Sequence, residues 1–250
     1  MKPWHVCLHL MLLASACATA SNSSKKNLAF QWISMGASAV EDGDAAGALQ
    51  YVARAEQAVP REPSLHHVRA LAYALRKDLP SALSSARRAY ELAPADSSIA
   101  TTYGKFLMES GNHSEAIRIL TPAANDSLYR ESYKARTNLA ILYLARNERS
   151  LAREQLDRAI NESQGMACHA HFFRSQIHMQ EGRVADGLKD LDAATKNACS
   201  AFAEAHLASG IALSRNRQYS KARQKFLEVS KRFSGTEFAE KALENLKYLP

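Results

Sequence analysis

The sequence predicts an all-α protein built as six helical hairpins with a closing C-terminal helix. Three observations lead to it. Small residues recur at Gly36, Ala70, Gly104, Ala140, Ser175 and Gly210, at intervals of 34, 34, 36, 35 and 35 residues. Two further small-residue registers, Ala48, Ala82, Ala116, Ala152, Gly187, Ala222 and Ala55, Ala89, Ala123, Ala159, Ala194, Val229, keep step with the first. The third is composition. Proline and glycine number only 7 and 10 in 250 residues while alanine is plentiful, a balance that favours helix.

The chain opens on Lys2 and an apolar stretch from Val6 to Leu13. That stretch is too short for a membrane span, which takes about 20 residues, and fits a secretory signal over residues 1–16. Two processing sites compete. Ala14-Ser15-Ala16-Cys17 resembles a bacterial lipobox, with Cys17 the lipidated residue, and Ala18-Thr19-Ala20 before Ser21 resembles an ordinary cleavage site. The lipobox is preferred because the cysteine directly follows the apolar stretch. Residues 17–27, rich in Ser, Asn and Lys, are then expected to be a flexible tether between lipid and fold.

The repeats occupy about residues 29–62, 63–96, 97–132, 133–167, 168–202 and 203–235. Where two helices cross closely, only a small side chain fits between the backbones, so the first register belongs to helix A of each unit and the other two to helix B. Val52, Leu120, Leu156, Leu191 and Phe226 fill helix B between its small positions, and Trp32, Tyr73, Tyr103 and Tyr143 surround the small position of helix A. Gly43-Asp44, Gly111-Asn112 and Gly182 mark turns, Pro60 and Pro94 end helices, and Glu41-Asp42 is expected to cap the second helix. Thr236–Leu249 reads as a cap, with Thr236 at its N-terminus and Phe238, Ala242, Leu243 and Leu246 turned inward.

This pattern resembles the tetratricopeptide repeat, which implies a right-handed superhelix whose helix-A groove binds partners. Family geometry places Phe30, Ile33, Ala37 and Val40 of the first repeat on that groove. The clamp of Lys and Asn four apart that grips a terminal carboxylate in some relatives is absent from the matching positions, among them Phe172/Gln176 and Leu207/Ile211. In the third repeat Tyr103-Gly104-Lys105-Phe106-Leu107, then Asp126-Ser127-Leu128-Tyr129, then Asn138-Leu139 resemble the type IV pilus biogenesis lipoproteins, the tetratricopeptide pilotins of PilF/PilW type. That resemblance implies an outer-membrane lipoprotein, lipid-anchored on the periplasmic face, that binds the pilus secretin and promotes its localisation and multimerisation. A periplasmic adaptor organising other envelope proteins is the alternative.

No Walker loop, G-x-S-x-G or H-E-x-x-H is present, so an enzyme is not expected, nor a cofactor. Cys168-His169-Ala170-His171 with His178 matches no zinc spacing, and no metal is expected. Cys168 and Cys199 stand at the two ends of an antiparallel hairpin, which brings them within reach of a disulfide in an oxidising compartment. Net charge is +7, an excess that suits acidic partners or anionic head groups or simply solvates helix surfaces. No dense basic run is interleaved with aromatics, which argues against nucleic acid.

Overall fold

The computed structural model describes the backbone over residues 4–163 and 165–250 and the side chains over residues 23–163 and 165–250. The signal-peptide reading and the lipidation of Cys17 fall on residues whose side chains lie outside that set. The chain forms two compact units, Met1–Asn112 and His113–Pro250. The first holds α1 (Trp4–Glu41), α2 (Ala45–Glu56), α3 (Pro63–Leu75), α4 (Leu79–Leu92) and α5 (Ser97–Glu109). The second holds α6 (His113–Asn125), α7 (Ser132–Ala145), α8 (Arg149–Glu162), α9 (Cys168–Gln180) and α10 (Val184–Ala193). After a 3-10 turn (Asn197–Cys199) come α11 (Ala203–Arg215), α12 (Tyr219–Arg232) and α13 (Glu237–Lys247). No strand occurs among the described residues, and none of their helices is long and apolar enough to cross a membrane.

Each hairpin forms for the reason the periodicity gives. Every residue of the three small-residue registers is buried, in both units. Bulkier side chains fill the gaps around them: Leu65, Leu142, Leu156 and Phe226 are all below 2 % exposed. Burying a side chain of this size contributes roughly 1.5–3 kcal/mol.

The turns inside the hairpins share one device. A residue in the left-handed region follows each helix A: Gly43 (φ 77°), Lys77 (59°), Gly111 (81°), Asn147 (61°), Gly182 (74°) and Arg217 (59°). The next N–H then donates back to the carbonyl five residues before it, as from Asp44 to Ala39, Asp78 to Tyr73, Glu148 to Tyr143 and Gln218 to Leu213, at 2.8–3.0 Å. This closure satisfies carbonyls the helix end would leave bare. Sequence marks the glycines, and asparagine tolerates the region at Asn147, while at Lys77 and Arg217 the left-handed backbone accompanies the same closing hydrogen bond.

Four features differ from expectation. The second helix is capped by Asp44, whose Oδ1 accepts from Gly47 N–H at 2.8 Å, and not by Glu41-Asp42. Ser23–Asn27, expected to be a flexible tether, belongs to α1, since no proline or glycine there breaks the helix. Ile33 is in the core, as described below. In α13 Thr236 accepts from Ala239 N–H and Ala242 is fully buried, but Leu243 is 50 % exposed and Ala239 takes the inward position. Phe238 and Leu246 pack on the core of α11 and α12, and one narrow apolar stripe is enough to cover it.

Candidate functional site

A helix-A residue reaches a partner only if its neighbours leave it uncovered. Of the four first-repeat positions, Phe30 is 47 % exposed, while Ala37 and Val40 are half-buried. Ile33 is 6 % exposed and packs in the core with Ala29, Val52, Ala55, Leu65 and Val68. Ile33 is therefore corrected from a groove residue to a core residue. Helices α2 and α3 close over α1 at that turn and bury it. Beside it, Trp32 stacks on Tyr51 at 5.8 Å between ring centroids and carries the Arg54 guanidinium 5.1 Å above it.

In the second unit α9 and α11 leave an apolar cleft of about 520 Å³ between them. Its walls are Met179, Val184 and Leu191 on one side and Ala208, Ile211 and Ala212 on the other. Gln176, Gln180, Arg215 and Asn216 stand at the rim, all exposed. Amides that donate and accept, placed over an apolar floor, suit a polypeptide segment whose backbone needs partners and whose side chains need burial. Gly187 makes room for the floor, because a Cβ there would lie 2.7 Å from Met179 Cε. The signal was present in sequence, since Gln176 and Ile211 occupy the groove register, but only the exposure of the rim identifies the cleft.

A polar network supports one side of this region. Asp190 on α10 has a side chain 5 % exposed, and it accepts from Arg174 Nε (2.8 Å), Arg174 Nη2 (2.6 Å) and His171 Nδ1 (2.8 Å). His178 Nε2 stands 3.4 Å away, and Arg174 also reaches Asp157 at 2.7 Å. Burial pushes the Asp190 carboxyl up, but the bonds from Arg174 and His171 outweigh it and hold the group below the usual carboxylate range. His178 is lowered by burial and by the nearby Arg183. Of the three histidines that invite a metal reading in sequence, His171 and His178 thus face a buried carboxylate. Cys168 and Cys199 are joined in a disulfide with Cα atoms 5.3 Å apart, tying the start of α9 to the turn after α10. His169 stacks on Phe202 at 4.4 Å beside it.

The tetratricopeptide repeat model matches residues 34–97 and 172–235, together just over half of the chain. A structure solved for the functional characterisation of pilF from Pseudomonas aeruginosa is similar at TM-score 0.70 and 16% identity, covering 89% of this chain and 99% of that one. The crystal structure of PilW, a widely conserved type IV pilus biogenesis factor, is similar at TM-score 0.68 and 20% identity, covering 89% and 98%. A chain of the Cut9–Hcn1 assembly of the APC/C is similar at TM-score 0.74 and 13% identity, covering 87% of this chain and 42% of that one. Nothing among curated proteins matches. At these identities the likeness is one of fold.

Proposed function

We propose, from the premise that the chain belongs to the tetratricopeptide repeat family, that it is a protein-binding scaffold in type IV pilus biogenesis. The observation that carries this reading is length. The fold shared with PilF and PilW runs over 99% and 98% of those chains, whereas Cut9–Hcn1 is matched over 42%. The Tyr103–Leu107 and Asp126–Tyr129 block supports it from sequence. In this reading Cys17 carries the lipid, the array sits on the periplasmic face of the outer membrane, and the partner is the pilus secretin. The cleft between α9 and α11 takes an extended apolar segment of the secretin, with Phe30 a second contact. Confinement beside the membrane raises the local concentration of secretin subunits and favours their multimerisation.

The test is secretin multimers on a non-denaturing gel from cells expressing Ala208→Arg or Phe30→Glu at normal level. Ala208 lines the cleft and is half-buried beside the core of Phe172, Leu191 and Ala205, so an arginine there fills the cleft, and helical circular dichroism checks that the variant folds. Loss of multimers with the variants still folded supports the reading. Normal multimers in a full deletion strain would remove the secretin and leave the periplasmic adaptor.

A further inference from the structure

We propose that the outer face of α12 docks on an anionic lipid surface. Its inner stripe is apolar, with Ala222, Phe226 and Val229 in the core. On the opposite side Lys221, Gln224, Leu227 and Lys231 follow one another at steps of three, three and four, which puts them on one exposed stripe. Arg217 in the preceding turn extends it, and Leu227 is 43 % exposed in its middle.

The cations of this stripe are not neutralised, and they flank an exposed leucine. Elsewhere in the same unit Arg118 lies 3.4 Å from Glu115, Arg158 3.8 Å from Glu162 and Lys241 2.7 Å from Glu237. Among the described residues Arg217, Lys221 and Lys231 have no carboxylate within ion-pair distance. The one carboxylate of α12, Glu228, is already taken by Lys225 at 2.8 Å, by His206 at 3.3 Å and by Arg232 at 3.9 Å. Arg223, exposed on the flank, donates to the Pro250 carbonyl at 3.1 Å.

Lys221 and Gln224 border a cleft whose far wall carries Leu188 and Asp192, the latter paired with Lys196 at 2.6 Å, and the stripe continues from there past the exposed Leu227 to Lys231. Such a face fits a broad layer of negative head groups, into which Leu227 inserts while Lys221 and Lys231 reach phosphates. Charge complementarity selects the occupant, and each lysine near such a surface strengthens partition about fivefold. The proposal holds whatever protein fills the cleft between α9 and α11.

The experiment is co-sedimentation of the full chain with vesicles of equal parts phosphatidylglycerol and phosphatidylcholine, against phosphatidylcholine alone. The apolar N-terminal stretch adds equally to both, so the ratio isolates the charge effect. The expected result is preference for the anionic vesicles, lost at high salt and reduced about 25-fold in Lys221→Gln/Lys231→Gln, the fivefold loss taken twice, and further in Lys221→Glu/Lys231→Glu. Both side chains are exposed, and unchanged helical circular dichroism shows that the variant folds. An equal preference in wild type and variant overturns the proposal. So does binding of the wild type, but not the variant, to poly-glutamate with no preference among vesicles, which would make the face one for acidic proteins.

Discussion

Gly210 on α11 lies directly beneath the ring of Phe226 on α12, so close that a Cβ on it would stand 2.6 Å from Phe226 Cε1. Phe226 is fully buried and cannot swing aside. Gly210→Ala is therefore expected to destabilise the protein by about 1–3 kcal/mol despite the better helix propensity of alanine. Gly36→Ala meets Val68 Cγ1 at 3.2 Å, with the Ala48 carbonyl and Tyr51 Cβ at ordinary contact distance, 3.5 Å, and is expected to be near neutral. Urea denaturation of both variants checks the pair, and equal midpoints would contradict the close approach.

Asp190, itself buried, gathers Arg174, His171 and His178 at the floor of an open polar cleft. Asp190→Ala strands those groups without a carboxylate, while Asp157 still holds one arm of Arg174. The expected loss is about 3 kcal/mol, toward the lower end of what breaking a buried pair costs. Hydrogen exchange should show α9 and α10 opening first.

The Cys168–Cys199 bond closes a loop with a sequence separation of 31 residues. Cys168→Ser/Cys199→Ser is expected to lower stability by about 2–4 kcal/mol. The wild type under reductant should shift to the same midpoint, and identical unfolding with and without reductant would show that no bond forms.

His66 and His206 occupy the same register in repeats two and six, and each places Nε2 3.0 Å from a carbonyl six residues earlier, Pro60 and Ser200. Burial holds both below their ordinary value of 6.5, against the opposing effect of those bonds. The unfolded chain takes up protons first, so the stability from these groups is present above 6.5 and is lost as pH falls through the folded values. Melting temperature should drop as pH falls from about 7 to about 5, and His206→Gln should flatten that slope while still donating to Ser200.

Lys77 holds a left-handed backbone, φ 59°, at the turn between α3 and α4. Lys77→Gly relieves that strain at some cost in chain entropy, for an expected net gain of up to about 1 kcal/mol. Asn147→Gly, at φ 61°, should gain less because asparagine tolerates the region. Melting temperatures ranked in the opposite order would count against this account.

What the sequence determined by itself was the repeat. Wherever two helix backbones cross, the small residue must recur, so Gly36, Ala70 and Gly210 announce the hairpins and their order without any coordinates. Cys168 and Cys199 were legible for the same reason, because a hairpin brings its ends together. Tertiary structure decided what lies on top of each helix. It buried Ile33 under α2 and α3 and turned Leu243 outward, and it gathered Asp190 with three side chains from α9. Helical periodicity gives the direction of a side chain from its own axis but not whether a neighbouring repeat covers it. That depends on how the next hairpin packs over the helix, as Leu65 and Val68 of α3 pack with Ile33, in addition to the close approach inside a hairpin that Gly210 and Gly187 allow.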